Sequence, residues 1–566
     1  MRLESGSGSK PAEQANPDSS NLRQRNERDL AARSNWWRLC GTFQILIAAF
    51  AIPASVGQAH QAAAPGLAPT PPMGWASWNY YFCDYNEQTI RAQADALVST
   101  RLRVLGYRYL IVQECIAPTR DEAGRIVPDP HRFPHGMAAL VEYIHSRGLK
   151  AGIYTDVGPF TCFSKTHYQG SYNHEEQDAR TFADWGIDLI EVDFCNKPAE
   201  HTAKELYGRM DEAIRKTGRP MLLYVCSWGE EHPWEWAPGV AQLWRTTEDI
   251  SYEAAQVKWE SVVRNFELNA QHAGFTAPNS WNDPDMLEVG NRGLNDDEAR
   301  SHFSMWVVSA APLWLGTDLT HIDASVRAML TNAEFIAVDQ DSLGAGVRRI
   351  SGEPGGVEVW AKPLGHWTGA TQAVLLLNLT SSKAAAEVSW RDLGLLPSAA
   401  VRDLWAHKNL GAFPEAYSTE LPAHGSALLK ITGKPSPERS SVYEAEWPGN
   451  VRPQSAAVIP CPQCSGGYGL SLPASSDTDS SALIFPQVDS EEDGFYELSL
   501  RSPNIGGDAR VTVSVNGSML VPLQPANGTS TSGTMSVKVK LRSGRNTVRI
   551  HSGTPIILDC LILRRG

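Results

Sequence analysis

The sequence predicts an α/β fold class, a (β/α)8 TIM barrel followed by an antiparallel β-sandwich and a second, C-terminal β-sandwich. Three observations carry this. Between residues 70 and 341, eight short apolar strands alternate with amphipathic helical segments, as a parallel barrel requires. From about Asp341 the helical period stops, and alternating strands such as "GVEVWAKPL" and "TQAVLLLNL" run to "SALLKIT", the pattern of a small antiparallel sandwich. Polar residues also gather where the apolar strands end. A doubly wound open sheet is the competing architecture, disfavoured because no glycine fingerprint follows the first strand.

The elements can be justified in chain order. Residues 1–69 read as an export segment and linker. Basic "SNWWRLC" precedes apolar "GTFQILIAAFAIPASVGQA", which fits a secretion signal cleaved after Ala59 or an uncleaved membrane anchor. Both place the rest of the chain outside the cytoplasm, secreted or periplasmic. After the linker "AAAPGLAPTPP", the barrel (residues 70–341) takes its strands from "MGWASWN", "YRYLIVQE", "KAGIYTD", "IDLIEVDF", "MLLYVCSW", "LWRTTED", "SWNDPDML" and "APLWLGTDL". Segments such as "EQTIRAQADALVSTRL" and "MAALVEYIHSRG" supply helices between them. The first sandwich spans 342–433. The seam "GKPSPERSS" then leads into a second all-β region, 441–566, opening on "VYEAEWPG".

Composition narrows the function classes. A chain of 566 residues is too long for one core. A formal net charge of −13 argues against a nucleic-acid partner. Eighteen tryptophans are core residues first, but such rings also stack on sugar faces. Nine cysteines fit an oxidising compartment. Cys40 lies in the export segment. Cys461 and Cys464 form a lone CxxC without a second pair nearby, which points to a local disulfide or two unrelated thiols rather than zinc. No HExxH, Walker loop or GxSxG elbow is present, and the reading calls for neither metal nor cofactor.

What remains is carboxylate chemistry. Trp78, Gln113, Glu114, Asp156, Glu191, Asp193, Ser227, Arg245, Asp249, Asp283 and Asp285 fall at or near C-terminal strand ends, which converge on one mouth in a barrel. One terminal acid would be a helix cap; acids at most of the ends are hard to explain that way. Two facing carboxylates are the minimum equipment for glycoside hydrolysis. Asp193 on the fourth strand and Asp249 on the sixth can sit on opposite sides of the mouth. Arg245 could tune Asp249, bind a hydroxyl or make a structural ion pair. Trp78 is a sugar platform or an ordinary core ring. The substrate class is an oligo- or polysaccharide, and the oligomeric state is left open.

Six motifs in order, "PPMGWASWNYYFCDYNE", "VPDPHRFPHGM", "GLKAGIYTDVG", "TFADWGIDLIEVDFC", "LWRTTEDI" and "WNDPDMLEVGN", resemble glycoside hydrolase family 27, the α-galactosidases and α-N-acetylgalactosaminidases. The similarity runs from Thr70 to Gly433. It implies a retaining mechanism with Asp193 as nucleophile and Asp249 as acid/base. Arg245 and Asp285 would bind sugar hydroxyls, with Trp78 and Tyr154 lining the pocket. The resemblance also implies disulfides Cys83–Cys115 and Cys162–Cys195. The C-terminal region resembles carbohydrate-binding modules. Its acids near Glu444 read as a calcium site or, more simply, a sandwich edge.

The chain departs from the family at four recognition positions. Where members carry "DDCW", this chain has Gln113 and Glu114 in "QECI". Glu191 replaces a usual lysine, and Ser227 replaces the glutamate of "CEWG". These changes put plain α-galactose in competition with α-N-acetylgalactosaminide, β-L-arabinopyranoside or α-glucoside, and with a non-catalytic sugar-binding role. The expectation is that Gln113, Glu114, Glu191 and Ser227 form one coupled patch.

Overall fold

The computed structural model describes residues 66–163, 166–250, 252–253, 256–477, 481–505, 509–525 and 533–565. The expected export segment, with Cys40 and the Ala59 cleavage point, lies outside the described residues. Among the described residues no helix is long and apolar enough to cross a membrane.

Eight parallel strands form the first sheet: β1 (Met73–Ala76), β2 (Tyr109–Val112), β3 (Lys150–Asp156), β4 (Leu189–Asp193), β5 (Leu222–Cys226), β6 (Leu243–Arg245), β7 (Trp281–Asp283) and β8 (Leu313–Leu315). Their ladder runs in sequence order from β1 to β7, and β8 pairs back onto β1. The ring closes through one parallel bridge, Leu287 just past β7 to Leu315 of β8. All eight expected strands are present.

Because strand side chains alternate, each strand contributes to two cores. On β4, Ile190 and Val192 face the large core under the helices, whereas Leu189 belongs to a separate cluster inside the barrel with Ile111, Leu222, Tyr224, Leu243, Trp281 and Trp314. The same alternation points Glu191 and Asp193 inward, above Leu189. Register sets the layers: Tyr154, Glu191 and Tyr224 lie side by side, and Asp156, Asp193 and Cys226 form the next level up.

The surrounding helices are amphipathic for ordinary reasons. Helix α1 (Ala203–Thr217), between β4 and β5, buries Leu206, Tyr207, Met210, Ala213 and Ile214, one stripe at helical spacing. Thr202 and Glu205 close a reciprocal capping box at its start, and Gly218, at φ 76°, ends it in the left-handed conformation, which glycine adopts without steric cost.

Past Asp339 the sheets are antiparallel. A six-stranded sheet and a two-stranded ribbon between Arg348 and Thr432 enclose a core that includes Val374, Leu376, Trp390 and Leu429. Three further sheets from Ser441 to Arg565 surround a core that includes Leu498, Val513 and Ile550. This last region is pinned to the barrel by Trp447, whose indole donates to the Thr276 carbonyl at 2.9 Å, and by Tyr468, whose hydroxyl accepts from Trp234 at 3.1 Å. Cys461 and Cys464 are bonded to each other. Glu444 is engaged by Arg348 at 3.0 Å and by the Ser465 hydroxyl at 2.6 Å.

Candidate active site

A cavity of about 250 Å³ opens at the C-terminal ends of the barrel strands, its wall including five carboxylates (Glu114, Glu191, Asp193, Asp249, Asp285) and one guanidinium, Arg245. Trp78, Gln113 and Tyr154 also line it. Nine of the ten residues expected to act on substrate therefore share one cavity.

Asp193 ends β4 and is only 8% exposed. Its Oδ2 accepts a 2.6 Å hydrogen bond from the Tyr154 hydroxyl, while no N–H or O–H donor among the described residues reaches its Oδ1. Burial raises its pKa to about 7; the Cys226 thiol and Tyr154 hydroxyl pull it down, and the charges of Asp249 and Glu114 push it up. Beside it, Asp156 accepts from the amides of Gly158 (2.6 Å) and Cys195 (3.0 Å). Asp156 thus braces the loop after β4 and does not line the cavity. The disulfide Cys162–Cys195 ties the same loop down, and Cys83–Cys115 anchors the turn after β2. Both pairings match those the resemblance implied.

Glu114 is a loop anchor. Its Oε1 accepts from Tyr154 (2.9 Å) and the Phe163 amide (2.9 Å), and its Oε2 from Thr161 (2.7 Å) and its own neighbour's amide, Cys115 (3.3 Å). Glu114 and Cys115 lie at φ 49° and 52°, a left-handed pair that costs on the order of 1–3 kcal/mol per residue and persists only under such restraint. Tyr85 holds the turn from below by donating to the Gln113 and Glu114 carbonyls.

Gln113 and Glu191 form a built pair. Gln113 Nε2 lies 2.9 Å from both Glu191 oxygens, and its Oε1 accepts from the Trp78 amide at 2.9 Å. The backbone donor thereby fixes which way the amide points. Burial, then the charge of Asp193, holds the Glu191 carboxyl well above the usual range against the pull of Gln113 and Arg245.

Across the cavity the electrostatics differ. Arg245, buried at the end of β6, places Nη1 2.9 Å from Asp249 and 3.1 Å from Asp285. Asp249 has 64% of its side chain exposed, as befits a group that exchanges protons with water. Asp285 is buried at φ 106° and accepts from the Ile250 amide at 2.7 Å. Burial raises its carboxyl against the pull of Arg245. Asp283 accepts from Tyr224 and from the Asp285 amide, so it supports the wall without lining it.

Ser227 departs from expectation. It is fully buried, donates to the Glu230 carbonyl at 3.3 Å and does not line the cavity. The turn Ser227–Glu230, closed by a 2.8 Å backbone bond, directs its hydroxyl away, and Trp228, at φ 52°, faces the cavity in its place. Of the four residues expected to form one patch, Gln113, Glu114 and Glu191 line the cavity and Ser227 does not. Cys226, Tyr224, Asn79 and Phe82 also line the cavity and escaped sequence reasoning. Tyr224 and Cys226 had a signal, their alternate places on one inward-facing strand.

Comparisons with known proteins agree with this geometry. Residues 70–341 match the family described as alpha galactosidase A, and residues 354–431 match the alpha galactosidase C-terminal beta sandwich domain. An α-galactosidase of Oryza sativa is 44% identical over 370 residues, covering 65% of this chain and 86% of that one. One from Cyamopsis tetragonoloba is 42% identical, with 65% and 87% covered. The crystal structure of α-galactosidase I from Mortierella vinacea superposes with a TM-score of 0.61 at 36% identity, covering 66% of this chain and all of that one.

Proposed function

Because this chain belongs to the α-galactosidase family of glycoside hydrolases, family 27, we propose that it is an exported retaining exo-glycosidase that removes terminal α-galactosyl residues. Asp193 attacks the anomeric carbon while Asp249 delivers its proton to the departing glycosidic oxygen. A glycosyl ester of Asp193 results. Water then attacks the same carbon, Asp249 takes the water proton, and Asp193 leaves as carboxylate.

The observation that carries this reading is the placement of a buried, strand-held Asp193 and a solvent-open Asp249 in one cavity. A nucleophile needs a fixed position and a desolvated carboxylate; an acid/base needs water access between its two steps. Arg245 holds Asp249 and Asp285 together, and Trp78, packed against Phe82 and Phe163, gives the cavity an apolar side for a pyranose. The retaining geometry requires a carboxyl separation of about 5–5.5 Å, whereas inversion requires roughly 6.5–9.5 Å. The sandwich region from Ser441 onward is proposed to bind carbohydrate without cleaving it, and the disulfides support an extracytoplasmic location.

The Gln113–Glu191 pair favours a second reading, the same chemistry on another glycoside. Glutamine and glutamate stand where relatives of the resembled family use aspartate and lysine. One effect compensates: a Glu191 that keeps its proton offers an O–H donor where lysine would offer N–H. Nitrophenyl α-galactoside, α-N-acetylgalactosaminide, β-L-arabinopyranoside and α-glucoside, assayed side by side, separate the readings. Fastest release from the α-galactoside supports the first; failure on all four, with sugar still bound, would point to a binding protein.

A further inference from the structure

Glu191, Asp193 and Cys226 meet inside the barrel mouth in a way that hydrolysis does not require. One ligand atom from each lies within 4.8 Å of the others, and all three residues are buried. Cys226 is a free thiol at the end of β5, in register with Asp193. Asp193 Oδ1, on a side chain more than nine-tenths buried, has no N–H or O–H donor among the described residues although it borders an open cavity. Beyond Tyr154, the group at hand for Asp193 is the Cys226 thiol, whose hydrogen bond lowers the Asp193 pKa, so thiol and two carboxylates form a ligand set whose proton a cation can replace.

We propose that these three side chains form an inhibitory site for a borderline-soft divalent cation, of which Zn2+ is the type. Zinc takes thiolate sulfur at about 2.3 Å and carboxylate oxygen at about 2.0–2.2 Å, so the cluster closes on an ion by side-chain movement alone. The thiol selects against calcium and magnesium, which prefer all-oxygen shells. Binding releases to solvent the Cys226 proton and whatever proton Glu191 or Asp193 holds. Gln113, donating to both Glu191 oxygens, acts as the outer partner that orients a ligating carboxylate. Arg245 lies 3.9 Å from the Cys226 sulfur, but its charge is already met by Asp249 and Asp285 and leaves no surplus to repel a cation. An ion there occupies Asp193 and excludes the sugar from it.

The inhibition arm rests on Asp193 being the nucleophile; the binding arm does not. Titration of the full chain with Co2+, a coloured stand-in for Zn2+, should give a thiolate-to-metal absorption in the near ultraviolet that saturates at one ion and is displaced by Zn2+. Saturating galactose should suppress it, which separates Cys226 from Cys560, the other free thiol among the described residues. Cys226→Ser should abolish the band, and Glu191→Gln, which is isosteric, should weaken binding by about 10-fold or more. Zn2+ should inhibit glycoside release competitively. An absent band, a band indifferent to galactose, or one retained in Cys226→Ser would overturn the site. A galactose-sensitive band in a protein that hydrolyses none of the four glycosides would uphold the site while refuting the catalytic reading.

Discussion

The two sides of the barrel mouth hold their acids in opposite ways. On the β6–β7 side, Arg245 faces Asp249 and Asp285 at 2.9 and 3.1 Å, so charge meets charge. On the β2–β5 side, Glu114, Glu191, Asp193 and Asp156 are held by neutral donors, namely a tyrosine, a glutamine, a threonine and backbone amides. Tyr154 has one proton and touches both Asp193 and Glu114, so these two acids share it. Cations fix the side that must exchange protons with water. On the β2–β5 side burial first, and the neighbouring acids second, hold the Asp156, Glu191 and Asp193 carboxyls above their ordinary range.

Replacing the nucleophile breaks the comparison most severely. Asp193→Asn should reduce turnover on the order of 10⁴-fold or more without unfolding the barrel. The same change should stabilise. Asp193 has a folded pKa of about 7 against 3.8 when free, so between those values the folded chain holds a proton that the unfolded chain has lost. Its stability therefore declines as pH rises from about 4 to 7, and the penalty is complete above 7. At pH 8 the asparagine variant should melt later, with a gain of at most about 4 kcal/mol; thermal denaturation at pH 5 and pH 8 measures it. The opposite side should respond with the opposite sign. Arg245→Met strands Asp285 in the interior and should cost about 3–5 kcal/mol, read by denaturant unfolding.

Smaller effects sharpen the contrast. Gln113→Asp and Glu191→Lys should each reduce kcat/KM, while the pair should couple by about 0.5–3 kcal/mol. Ser227→Glu should fall outside that coupling, because the serine faces the Glu230 carbonyl. Simple additivity of the first two changes would refute the built pair. Smallest is the pH profile. The value of kcat/KM should drop as pH falls below about 7, where Asp193 gains its proton. Glu114→Gln removes a charge that pushes Asp193 up and should move that limb down by less than about one unit.

Much of the site was legible because period-two alternation determines where a strand residue points. Once "IDLIEVDF" is a barrel strand with Leu189 inward, Glu191 and Asp193 must be inward too. Residues beyond a strand's last hydrogen bond escape that logic. Ser227 follows Cys226 by one residue, but the turn it enters sends its hydroxyl to a carbonyl and swings Trp228 inward. Asp156 and Asp283 are strand-end acids like Asp193, yet they serve neighbouring amides, a choice made by loops whose conformation no local pattern encodes. Glu114 is a similar case: besides Tyr154 of β3 and the adjacent Cys115 amide, Thr161 and the Phe163 amide, from a loop far along the chain, fix its carboxylate.

The central claim is that Asp193 forms the covalent bond. The most direct test is to trap the intermediate with an activated 2-deoxy-2-fluoro α-galactoside and to map the modified peptide by mass spectrometry. The account predicts stoichiometric labelling on the peptide carrying Asp193, with none in Asp193→Asn. A label on Asp249, or turnover that never accumulates a labelled enzyme and releases the inverted anomer, would contradict it.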